Sequence, residues 1–235
     1  MDAAEYALMD AVEERMWWYR ALHTRLLAAL APASGRVLDA GCGTGGLLRK
    51  LAPARPDLEL VGLEWDAAAA GRARAKAACP VARGSVNAPP FADESFDAVV
   101  SADVLCHQSV VPAVALAELR RVLRPGGLLV LNLPAYEWLR SAHDARVRTA
   151  RRSTAPAVAR QLAAAGFGAV RARYWNGLLL PVMAARRKLA MRDDGASDVG
   201  EFPPLLDRAL HAVTVLERWL PMPAGGSVLA TAVRP

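Results

Sequence analysis

The stretch Arg36-Val-Leu-Asp-Ala-Gly-Cys-Gly-Thr-Gly-Gly-Leu-Leu48 decides the fold. Val37 and Leu38 form an apolar run that ends at Asp39. Glycines follow at 41, 43, 45 and 46, and Leu47 and Leu48 open a new apolar pattern. The order reads as strand, tight turn, helix. Glycines in such a turn take positive φ and let the backbone approach a ligand, while the amides of the next helix face the same ligand. The spacing is G-x-G-x-G rather than the G-x-G-x-x-G of dinucleotide sites, and a carboxylate stands two residues before the first glycine. That charge repels a pyrophosphate and suits a ligand carrying positive charge, an ammonium or a sulfonium.

A nucleoside that carries a sulfonium is S-adenosylmethionine (SAM), and the turn is built for it. Glu64 ends the second apolar run, "VGLE", 21 residues beyond Gly43. A carboxylate about 20 residues past the glycines can accept both ribose hydroxyls. Trp65 follows it and can stack on adenine.

Composition sets the limits. At 235 residues and 54% hydrophobic content the chain is long enough for one α/β domain with a substantial core. No uninterrupted apolar run of about 18 residues occurs, and the acidic start "MDAAEY" is unlike a signal peptide, so a soluble, cytoplasmic protein is expected. Cys42, Cys79 and Cys106 are odd in number and lack C-x-x-C spacing. Neither a disulfide framework nor a zinc site is expected, and with four histidines outside metal-ligand spacing we expect no metal.

The apolar runs "RVLDAG", "ELVGLE", "PVARGS", "FDAVVSAD", "GGLLVLNLP", "VRARYW" and "SVLATAVRP" alternate with helical patterns. They predict an α/β fold, a Rossmann-like, mostly parallel sheet of seven strands with helices on both faces. Ligands of such sheets bind beyond the carboxyl ends of the strands, where the glycine turn lies.

Three ordered segments resemble the class I SAM-dependent methyltransferases over roughly residues 36–175: "LDAGCGTG", "GSVNAPPFADESFDAVVSADVLCH" and "ELRRVLRPGGLLVLNLP". The resemblance implies an antiparallel last strand. It also implies a cofactor shell of Asp39, Ala40, Gly41, Cys42, Gly43 and Gly45, with Glu64 at the ribose, Ser85 and Val86 at the adenine on which Trp65 can stack, and Ser101 and Ala102 nearby. Ser85 departs from the aspartate common in the family, so either a reduced affinity or compensation by Asn87 is expected. "PAYEWLRSAHD" and the N-terminal "MWWYR" resemble a bacterial branch that acts on small molecules. In relatives an N-terminal aromatic and arginine segment folds over SAM, which makes Tyr19, Trp18 and Arg20 candidates, Arg20 for the SAM carboxylate. The same residues also fit a helix packed on the sheet.

One domain over 1–235 is expected: an N-terminal helical segment (1–34), a SAM-binding core (35–175), a helical cap (176–226) and the last strand (227–235). The cap rests on an apolar stripe at Leu206, Ala209, Leu210, Val213, Leu216 and Leu220. The same segment also suits a dimer face, and "LLLPVMAARRKLAM" combines apolar and basic character that suits a membrane surface. The candidate bases are His107, Tyr136, His143 and Asp144, the last two read as neighbours in an extended loop whose side chains point to opposite sides. Asp144 also fits a loop anchor bonded to nearby arginines.

The expected activity is transfer of the SAM methyl group to an O, N or C nucleophile of a small, apolar or lipid-like acceptor, leaving S-adenosylhomocysteine. Eight arginines face one acid between Arg140 and Arg173, so RNA is an alternative acceptor. "NAPPF" imitates a base-amine methylation motif but precedes the fourth strand instead of following it. A non-catalytic SAM sensor is the third reading.

Overall fold

The computed structural model describes residues 3–190, 200 and 202–235. Two helices, α1 (Ala3–Val12) and α2 (Trp17–Ala29), precede the alternating core. The core runs β1 (Arg36–Ala40), α3 (Gly46–Ala54), β2 (Glu59–Glu64), α4 (Ala67–Lys76), β3 (Val81–Arg83), β4 (Phe96–Ala102), α5 (Pro112–Val122) and β5 (Leu123–Pro134). A short α6 (Ala142–Arg146), α7 (Ala155–Ala164) and β6 (Gly168–Trp175) follow. Then come α8 (Leu180–Ala190), α9 (Pro204–Leu216), a 3-10 turn at Glu217–Trp219 and β7 (Ser227–Val233).

The sheet order is β3-β2-β1-β4-β5-β7-β6. β1 to β5 are parallel, and β7 runs antiparallel between β5 and β6. The chain builds outward from β1 to β3 and then returns to the other side of β1 with β4. The crevice therefore opens between the carboxyl ends of β1 and β4, where a doubly wound sheet binds its ligand.

Both faces of the central strands are apolar because both are covered. Leu38, Val61 and Val99 pack toward α5 and α7, while Val37, Leu60 and Val100 pack toward α2, α3 and α4. Alternation along a strand sends neighbours to opposite layers. Helix starts follow local rules: the Asp66 carboxylate accepts from Ala68 N and Ala69 N at 2.9 Å, Thr154 caps α7, and Pro112 opens α5. Phe96 is fully buried, edge-on to Phe91 and under the Arg36 guanidinium. Phe96→Ala should cost about 3–5 kcal/mol of unfolding free energy, read by urea denaturation.

Two expectations change. β5 starts at Leu123, three residues before the first glycine of the expected run "GGLLVLNLP", with a register shift against β4. The segment holding His143 and Asp144 is helical, not extended. Ser141 N-caps α6, and the Asp144 carboxylate returns to Ser141 N at 2.8 Å, a capping box whose S-x-x-D spacing stands in the sequence.

Candidate active site

A cavity of about 600 Å³ sits on the glycine turn, inside the range of small-molecule sites. Gly41, Gly43 and Gly45 of this turn have different duties. A Cβ on Gly41 (φ +92°) would stand 2.3 Å from Val104 Cγ2, and one on Gly45 (φ +91°) would meet the α4 backbone at Ala73 at 3.0 Å. Gly41 lines the cavity as well as packing closely on Val104, whereas Gly45 serves packing alone and is outside the cavity wall. Gly43 (φ +55°) faces the cavity, with Met9 Cε 2.9 Å from where its Cβ would be. Ala40 and Ser101 also lie behind the wall: Ser101 Oγ donates to the Ala40 carbonyl at 2.7 Å and joins β1 to β4. Cys42 and Ala102 do line it.

Glu64 is buried at the end of β2. Its Oε2 accepts from Gly43 N (2.9 Å), and its Oε1 accepts from Asp66 N (2.9 Å) and the Tyr6 hydroxyl (3.2 Å). Trp65 lies at the rim, 68% exposed. Asp39 is 3% exposed at the end of β1 and borders the cavity. Burial, with Glu64 and Glu13 adding repulsion, pushes its carboxyl up from 3.8 to about 8. Across that interval the folded chain keeps a proton that the unfolded chain has lost, so stability falls as pH rises from about 4 to about 8. Asp39→Asn should leave the melting temperature nearly unchanged near pH 4. At pH 8 it should raise it by at least about 4 °C, read by scanning calorimetry.

Ser85 and Val86 line the cavity, and Ser85 Oγ accepts from Asn87 N at 3.1 Å. Asn87 lines the cavity beside Ser85, and each atom of its side-chain amide makes one bond within the protein. Nδ2 donates to Ser109 O and Oδ1 accepts from Val111 N, which fastens the loop before α5.

Tyr19 borders the cavity, whereas Arg20 leaves it: its guanidinium pairs with Asp207 of α9 at 3.0 Å. The aromatic segment thus binds α2 to the α8–α9 layer as well as covering the site. Trp18 stacks on Trp175, and Trp17, Met183 and Phe202 form an apolar cluster above the turn.

The four candidate bases separate. Tyr136 is outside the wall, stacked between Tyr174 (5.2 Å) and Trp138 (5.6 Å). Asp144 touches the cavity, but its two oxygens are committed to Ser141 N and a two-point pair with Arg152 that is nearly fully buried. Asp144→Asn should therefore lower stability by about 3–5 kcal/mol, because it strands a buried cation. His107 lines the cavity with its pKa pushed down to about 4 by burial and by Arg148, so it is neutral at pH 7 and a poor proton acceptor. His143 also lines the cavity, carried by α6.

A fifth group, absent from the sequence reading, is better placed. Asp103 follows β4 with φ +55°, a strained backbone of the kind that collects at functional sites. It borders the cavity, and both its oxygens accept from Asn132 Nδ2 (3.0 and 3.1 Å). Asn132 Oδ1 in turn accepts from Trp175 Nε1 at 2.8 Å, so a buried chain of polar groups fixes the carboxylate. Burial raises its carboxyl to about 7, against the opposing pull of Asn132 and Arg152. Nothing in "SAD" marks this residue; its strained turn exists only in the folded chain. Tyr6, Met9 and Glu13 of the N-terminal segment also enter the wall. Among the described residues no three His, Cys, Asp or Glu side chains form a metal-holding group.

The family described as "Methyltransferase domain" matches residues 38–131. A 24-methylenesterol C-methyltransferase 2 of Oryza sativa subsp. japonica is 38% identical over 111 residues, 44% of this chain and 29% of the relative. A ubiquinone/menaquinone biosynthesis C-methyltransferase UbiE of Dinoroseobacter shibae is 37% identical over 132 residues, 53% and 50% of the two chains. The chain thus spans half or less of the length of these relatives. Among solved structures, Haemonchus contortus phosphoethanolamine N-methyltransferase 2 in complex with S-adenosyl-L-methionine superposes with a TM-score of 0.62 at 18% identity, covering 91% of this chain and 52% of that one. Residues 38–131, which carry the glycine turn and the β2 carboxylate, thus match the methyltransferase domain, and the seven-stranded order is the fold of its solved SAM-dependent neighbours.

Proposed function

We propose that this protein transfers the methyl group of SAM to a small, largely apolar acceptor. The observation that carries the reading is the cavity floor, where two buried acidic side chains, Asp39 and Glu64, flank a glycine turn that presents its backbone to the ligand. Glu64 holds the ribose hydroxyls, Asp39 faces the cationic methionine end, and Ser85 and Val86 border the adenine. SAM, when bound, supplies a methyl group already activated on its sulfonium. The chain's part is to exclude water, hold the acceptor atom in place and take up the proton that this atom sheds. Asp103 takes the proton: it is fixed by Asn132, borders the cavity and is poised near neutrality.

Trp17, Met183 and Phe202 give the roof its apolar character and favour an acceptor with a hydrocarbon part. The sterol and quinone acceptors in the relatives' names agree with that. Part of the arginine-rich segment is internally occupied, which disfavours RNA. Arg140 pairs with Glu137 and reaches two backbone carbonyls, Arg151 holds three, and Arg152 holds Asp144. The free cysteines fit a reducing compartment, the cytoplasm.

Incubation with methyl-labelled SAM and separate pools of isoprenoid quinols, sterols, prenyl diphosphates and tRNA tests the reading. Label should pass to an apolar pool. Transfer to tRNA that falls steeply with salt would replace the acceptor class, and SAM binding with no transfer to any pool would leave a sensor.

A further inference from the structure

The apolar stripe read from the sequence of α9 is only half used by the fold. Leu210 and Val213 pack inward, and Thr214 is buried. Leu205 (79% exposed), Leu206, Val215, Leu216 (60%), Trp219 (83%) and Leu220 face solvent. Leu205, Arg208, Ala212, Val215, Leu216 and Trp219 recur at helical spacing and share one outward side, while Leu206 and Leu220 lie off its edge. Scattered apolar residues are ordinary on a surface, but a contiguous row ending in an exposed tryptophan marks a contact site.

Charge identifies the partner. The cations of this element, Arg208 and Arg218, are exposed. Both of its acids are withdrawn: Asp207 accepts from Trp17 N (2.6 Å) and pairs with Arg20, while Glu217 is 2% exposed and bonded to Arg25, Asn176 N and Gly177 N. The outward face of α9 is thereby apolar and positive, on a chain of net charge +6. We propose that α9 and the turn after it dock this protein on an anionic lipid bilayer. The helix lies in the interface plane with Leu205, Leu216 and Trp219 in the acyl boundary and the arginines at the headgroups. Leu178 and Val182, before and within α8, are exposed too, and Met183 beside them lines the cavity. The basic part of the stretch first read as membrane-facing, Arg186 to Lys188, has side chains outside the described residues.

Co-sedimentation with vesicles of phosphatidylcholine containing about 30% phosphatidylglycerol tests the proposal without any acceptor or SAM. The full chain should pellet with these vesicles and about tenfold less with pure phosphatidylcholine. A Leu216→Ser/Trp219→Ser variant should lose binding by about tenfold or more, and Arg208→Glu/Arg218→Glu should mimic the effect of about 0.5 M NaCl. Both pairs are exposed, and unchanged SAM affinity shows that each variant is folded. Three results would overturn the proposal: no pelleting with anionic vesicles, equal pelleting of the wild type and the serine variant, or a concentration-dependent dimer by sedimentation velocity that the serine variant abolishes while vesicle binding is absent.

Discussion

Gly43→Val should abolish SAM binding, with a loss of at least about 10² in affinity by calorimetry. At φ +55° a branched residue is strained by about 1–3 kcal/mol. Its side chain would also fill the gap between the turn and Met9 that the ligand needs. The apolar core lies in other layers, so the variant should keep its helical circular dichroism. Glu64→Gln is the companion: it keeps the volume but removes the charge that receives the ribose, and about tenfold weaker binding is expected. S-adenosylhomocysteine should track SAM in both variants. Undiminished affinity in Gly43→Val would remove the basis of the proposed function.

Asp103→Asn should lower kcat by about 10²–10³ once an acceptor is in hand, while the SAM dissociation constant stays within about threefold. The base must be deprotonated to act, so wild-type kcat should climb with pH through about 7, the value to which burial raises this carboxyl. The variant's residual activity should lack that limb. Asn132→Leu removes the donor that holds both Asp103 oxygens and should shift the limb upward, because a carboxylate without its hydrogen bonds is harder to ionise. A flat profile in the wild type, or near-normal turnover in Asp103→Asn, would transfer the role to His143, where His143→Ala is the next measurement.

Much of this was legible in the sequence because it is local. A strand's apolar run, the glycines of a turn and a carboxylate one βα unit later are written in consecutive residues, and β1, β2, β4 and β7 fall where the pattern puts them. Spacing alone pointed to Glu64, and the fold puts it in the cavity wall. The parts that were missed depend on long-range folding. Asp103 gains its meaning from Asn132, 29 residues away, and from a positive φ that "SADV" does not advertise. Tyr6 reaches Glu64 across 58 residues. Arg20 looked like a ligand for a carboxylate, but the carboxylate it meets is Asp207 of the protein itself. The Ser141 to Asp144 capping box was open to view, yet the notion of a catalytic loop concealed it.

Under the proposed function, the ribose hydroxyls and the Tyr6 hydroxyl compete for the same carboxylate, Glu64, whose Oε1 Tyr6 already holds. α1, which carries Tyr6, is fastened beyond it by Glu13, which accepts from Thr44 Oγ1 at 2.6 Å and pairs with Lys76, and by Asp10, a second partner of Lys76. Arrival of cofactor and displacement of Tyr6 are then a single exchange, and the departing product must wait for the same helix to yield. A cycle that must shed its spent nucleoside after every turnover would be paced by this door: Tyr6→Phe should release S-adenosylhomocysteine faster in stopped-flow, with the rate of the chemical step untouched.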